Sequence, residues 1–108
     1  MKRIVVVAPH ADDETLGCGG TLLKHRSSGD EINWLIFTTL DQKSGFSKER
    51  VACRKRAIEE VRREYGFQEV IELPFPSIYV DTYPMGELVA TVSESFKKIQ
   101  AEVVYLPY

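Results

Sequence analysis

The chain has 108 residues, enough for one modest domain, with 44% hydrophobic and 28% charged residues, ordinary values for a globular protein. Its formal net charge of -2 offers no electrostatic reason to expect nucleic acid or an anionic membrane as a partner. Its apolar runs fall far short of the roughly 20 residues that a membrane span requires, and its two cysteines, Cys18 and Cys53, are too few and too far apart for a zinc knuckle or a disulfide framework. They read as reduced thiols used as small apolar side chains.

The first element is a strand over Ile4–Ala8, apolar without alternation, as a parallel strand covered on both faces should be. Its basic start resembles a signal peptide, but the apolar run breaks at Pro9-His10 and acids follow, so the stretch reads as the first strand of a cytoplasmic protein. A helix is expected from Glu14 to about Ser28, ending at Ser-Ser-Gly. Its glycines Gly17, Gly19 and Gly20 each cost about 1 kcal/mol relative to alanine in a helix interior. Close approach of the helix to the sheet would explain them. The second strand spans Ile32–Thr39, and a polar loop with a glycine follows over Leu40–Phe46.

A second helix is expected over Ser47–Tyr65, with Val51, Ile58, Val61 and Tyr65 on one stripe and Gly66 at the C-cap position. Glu69–Leu73 reads as a third strand ended by Pro74 and Pro76. Met85, Leu88, Val89, Val92, Phe96 and Ile99 mark a third helix, and Val103–Leu106 a fourth strand. The alternation predicts a single α/β domain over residues 1–108, a Rossmann-like three-layer parallel sheet of strand order 3-2-1-4. Two helices would cover one face and one the other. The under-covered face and the unshielded last strand suggest a fragment, truncated after the fourth strand, or a chain that pairs with a second copy through that face.

In such sheets ligands bind at the carboxyl ends of the strands, near the point where strand order reverses, here between strands 1 and 4. His10, Asp12, Asp13 and Glu14 occupy that place. A neutral imidazole and a carboxylate three residues apart, His10 and Asp13, can converge on one divalent ion. Asp12 between them is then placed to serve a bound water as general base. Acids at a helix start also cap free N–H groups, but a cap needs one acid and no histidine. The glycines lack the GxGxxG spacing of a dinucleotide site, and three adjacent acids would repel a phosphate at the helix start.

The stretch APHADDETLGCGG resembles the N-terminal motif of the LmbE-like (PIG-L) family of zinc-dependent N-deacetylases, usually Pro-His-Pro-Asp-Asp-Glu before a glycine-rich helix. The resemblance implies zinc held by His10 and Asp13, Asp12 as general base, and an N-acetylated amino sugar or related conjugate as the small-molecule substrate. Ala11 replaces the common proline. It also implies a substrate-reaching arginine on the second helix, which Arg54 matches, standing twelve residues before Gly66. Arg50, Lys55, Arg56, Arg62 and Arg63 around it equally describe a solvated basic face. The family's glutamate three residues after that arginine is replaced by Ala57. Asp81 matches a further family aspartate, or is a turn residue. The family's third metal ligand and its acid for the leaving amine come from beyond the fourth strand, so this chain alone is expected to bind metal poorly and turn over little. His25, near a helix C-terminus, reads as a surface residue. The alternative is a degenerate relative acting as a binding or assembly domain.

Overall fold

In the computed structural model residues 1–8, 19–39, 45–76 and 82–106 are described. They form β1 (Arg3–Ala8), α1 (Gly19–Ser27), β2 (Glu31–Thr39), α2 (Lys48–Tyr65), β3 (Val70–Pro76), α3 (Met85–Ile99) and β4 (Val103–Tyr105). The four strands make one parallel sheet of order β3-β2-β1-β4, as the alternating sequence predicts. β1 is central, pairing Ile4 with Ile32 on one side and with Val103 on the other.

Both faces of β1 and β2 are packed, which is why their sequences do not alternate. On one face Ile4, Val6, Ile32, Trp34 and Ile36 are buried with Leu22 of α1 and Phe67, and Ile58, Val61 and Tyr65 of α2 pack against them. On the other, Val5, Val7, Leu35, Leu73 and Phe75 are buried with Ile99 of α3, and Leu88, Val92 and Phe96 pack against that layer. The expected thin cover of this face is visible: Met85 and Val89 are exposed and, with Leu88, Val92 and Ser93, form a groove around Phe37.

Local signals set the ends of α2. The Ser47 hydroxyl accepts from the Arg50 N–H at 3.1 Å, and Gly66, at φ 76°, donates its N–H to Arg62 O. The first helix is shorter in its described part than expected, starting at Gly19. A Cβ on Gly19 would sit 2.7 Å from the Tyr65 hydroxyl, whereas one on Gly20 would meet nothing within 4 Å. The close approach that favours Gly19 is therefore to α2 and not to the sheet. Gly17 and Cys18 lie outside the described residues, and Cys53 is exposed rather than packed.

β3 continues past Leu73 to Pro76. Pro74 does not end it because the strand is at the sheet edge and absorbs the proline in an irregularity: Ile36 faces Glu72, but Thr38 faces Phe75, one residue further on. One buried polar residue ties the sheet together. Asn33 Nδ2 donates to Ile4 O at 3.1 Å, and its Oδ1 accepts from the Glu69 N–H at 3.1 Å. It thus joins β1, β2 and the approach to β3, and its burial is compatible with these bonds.

Candidate active site and its neighbours

β1 runs directly into the acidic motif, with His10 two residues beyond Ala8 in sequence. The strand has β2 on one side and β4 on the other, so the order reverses between β1 and β4, and in sheets of this kind ligands favour the carboxyl end of the strands at that point. His10, Asp12, Asp13 and Asp81 lie outside the described residues. Among the described residues no cluster of three histidine, cysteine or acidic side chains could hold a metal ion.

Arg54 is described, and it is not part of a solvated face. It extends the inward stripe of α2 one turn ahead of Ile58, and its side chain is only 11% exposed. Nη2 donates to Thr38 O at 2.6 Å, at the carboxyl end of β2, and lies 3.2 Å from Glu72 Oε2 of β3. The carboxylate contact left open by Ala57 is therefore made from the sheet. Arg54 Nε is buried with no hydrogen-bond partner among the described residues. A guanidinium does not give up its proton, so a buried one requires acceptors, and an unclaimed N–H is a donor still available to one. The neighbouring arginines do behave as surface residues: Arg62 pairs with Glu59 through Nη2 and Nε, a contact that holds the Glu59 carboxyl below its ordinary range, and Arg50 lies over the Phe46 ring at 5.2 Å.

His25 also departs from the surface reading. It is the middle of a hydrogen-bonded chain, with Nδ1 2.8 Å from Asp30 Oδ2 and Nε2 2.7 Å from the Tyr105 hydroxyl. The bond from His25 holds the Asp30 carboxyl below its ordinary range, helped by the Lys2 N–H, which donates to Asp30 Oδ1 at 2.9 Å. An ionised carboxylate only accepts, so the proton of the neutral imidazole sits on Nδ1 and Nε2 accepts from the Tyr105 hydroxyl. This clasp joins the end of α1, the start of β2 and the edge strand β4, and lines a cleft of about 360 Å³ with Thr21, Lys24 and Ser28. Nothing in the local sequence announces it, because Tyr105 is 80 residues from His25.

A four-stranded parallel sheet with helices on both faces defines the chain as a Rossmann-like α/β domain. More narrowly, the sequence profile of GlcNAc-PI de-N-acetylase (PIG-L) matches residues 5–108, and the chain belongs to this deacetylase family. It is 28% identical over 71 residues to a diacetylchitobiose deacetylase of Thermococcus kodakarensis, covering 66% of this chain and 26% of that protein. The fold is similar to the conserved protein TT1542 of Thermus thermophilus (TM-score 0.78, 27% identity, all of this chain and 47% of that one). It is also similar to the inhibitor-bound N,N'-diacetylchitobiose deacetylase of Pyrococcus horikoshii (TM-score 0.80, 24% identity, 98% of this chain and 40% of that one). The chain thus spans less than half the length of these relatives. Among the described residues no helix is long and apolar enough to cross a membrane.

Proposed function

We propose that the chain carries the metal-binding and proton-accepting residues of a metal-dependent N-deacetylase that removes the acetyl group from an N-acetylated amino sugar. The observation that supports this most is that the family match starts at residue 5, on β1, and so takes in His10, Asp12 and Asp13, which follow that strand in sequence. His10 and Asp13 are the donor types that zinc takes, and they are the residues that hold it in this reading. Zinc bound there supplies a Lewis acid that polarises the acetyl carbonyl and makes a water more acidic. Asp12 would accept a proton from the attacking water as general base. Arg54, whose Nε–H has no partner among the described residues, reaches the sugar, and Asp81 joins it as a second polar contact.

The test combines a zinc titration with an assay of amine release from N,N'-diacetylchitobiose. In the chain extended at its C-terminus to the length of these relatives, His10→Ala and Asp13→Ala are expected to weaken zinc binding at least tenfold, while Asp12→Asn retains zinc and loses amine release. Zinc binding by His10→Ala and Asp13→Ala equal to that of the unaltered chain refutes the assignment.

A further inference from the structure

On the reading that Arg54 touches the sugar, we infer that Glu72 is the positioning residue that aims it. On α2, a carboxylate three residues after Arg54 would lie beside it on the same face, but that place is held by Ala57, which is exposed and has no polar side-chain atom. The guanidinium is nevertheless nearly buried and permanently charged, so a carboxylate must come from elsewhere.

β3 supplies it. Glu72 pairs in register with Ile36, and both point to the face that α2 covers, whereas Ile71 and Leu73 point to the face of α3. Strand parity is therefore what places a charged residue of an otherwise apolar strand under Arg54; a slip of one residue would carry it to the opposite face. The irregularity at Pro74 begins immediately after Glu72, so the ladder is in register at the position that matters.

The consequence is geometric. Nη2 is tied to two adjacent strands, by a hydrogen bond to Thr38 O and by an ion pair with Glu72 Oε2. A planar fork hydrogen-bonded to one strand and ion-paired with the next is restricted in its plane, and this restricts where its Nε–H points. Glu72, with its own side chain 30% exposed, touches no substrate in this arrangement. It acts through Arg54. The carboxylate has in effect moved from the helix to the strand while keeping the same guanidinium in hand.

Nitrogen NMR of the arginine side chains in the 108-residue chain tests this, with folding checked by thermal melting. In the unaltered chain the Nη groups of Arg54 are expected to rotate slowly and give separate signals. Glu72→Gln keeps the shape and one acceptor oxygen but removes the charge; it is expected to merge those signals and raise the apparent Kd for N,N'-diacetylchitobiose, read on the Arg54 Nε–H signal, about tenfold. Adding Ala57→Glu to Glu72→Gln returns a carboxylate to the helix and is expected to restore both readouts, as is Glu72→Asp in part. The inference is overturned if Glu72→Gln leaves the Nη signals separate, or frees them without changing the Kd. If the sugar does not shift the Arg54 signals of the unaltered chain, the substrate role of Arg54 fails, and Glu72 has no sugar contact to aim.

Discussion

Among the described residues of α1 only Leu22 is buried, fully enclosed against Ile4, Val6, Trp34 and Ile36. The other leucine of the helix, Leu23, is 46% exposed, so among the described residues Leu22 is its main apolar anchor, beside the polar clasp at His25. Leu22→Ala removes three carbons, worth about 0.8 kcal/mol each in transfer, so about 2.4 kcal/mol before any cavity is counted. The void left against a rigid sheet raises the total to about 3–4 kcal/mol. That is a large fraction of the roughly 5–15 kcal/mol by which domains are ordinarily stable. Leu23→Ala, one residue away with the same chemistry, should cost less than about 0.5 kcal/mol, as surface substitutions do. Urea unfolding of both variants, followed by circular dichroism, measures the difference. A cost below about 1 kcal/mol for Leu22→Ala would show that α1 is not anchored through this side chain.

Three further outcomes follow from the same structure. The Asp30 carboxyl is held below its ordinary range by His25 and the Lys2 N–H, so its contribution to stability is complete above the unfolded value near 3.8 and disappears as pH falls through the folded one. Asp30→Asn should flatten the acid limb of the stability curve in the region below that value, read as Tm against pH; an unchanged acid limb refutes the clasp. Gly66→Ala puts a Cβ in a left-handed residue, 2.8 Å from the Arg26 guanidinium, and should cost about 1–2 kcal/mol in urea unfolding. Ser47→Ala removes the hydroxyl oxygen that accepts from the Arg50 N–H and should cost about 1 kcal/mol by the same measurement; no loss in either variant would mean that α2 is not bounded by these two residues.

How much of this could be read from the sequence depended on whether the cause was local. Strand order, both faces of the sheet and the caps of α2 follow from patterns within a few residues: unbroken apolar runs, the Val51–Tyr65 stripe, Ser47 and Gly66. The continuation of β3 through Pro74 did not, because an edge strand tolerates a proline that a central strand would not, and edge position is a property of the whole sheet. Asn33 was invisible within an apolar run since its partners, Ile4 O and the Glu69 N–H, lie on other segments. His25 was misjudged for the same reason, with its hydroxyl partner on the last strand. Of the proposed site only Arg54 can be compared with the structure. Its neighbours in sequence suggested a solvated cation, and its place on the stripe, four residues before Ile58, was the signal that could have shown it facing the sheet.

The two histidines illustrate why residue type alone does not assign a role. His25 has both ring nitrogens committed, one to a carboxylate and one to a phenol, and an imidazole with no free nitrogen has no lone pair left for a metal. It spends its chemistry on joining α1 to β4 at the amino end of β2. His10 follows the last residue of β1 by two positions in sequence and is followed closely by three acids in a row. A ligand role for it demands the opposite condition, one nitrogen fixed by a neighbour and the other open. Nδ1 and Nε2 nitrogen shifts of the two rings, measured with and without zinc, separate these cases: His25 should hold its Nδ1–H tautomer throughout, and His10 alone should change on titration. Movement of the His25 signals with His10 unaffected would transfer the metal to the wrong end of the sheet and remove the basis for a deacetylase mechanism at β1.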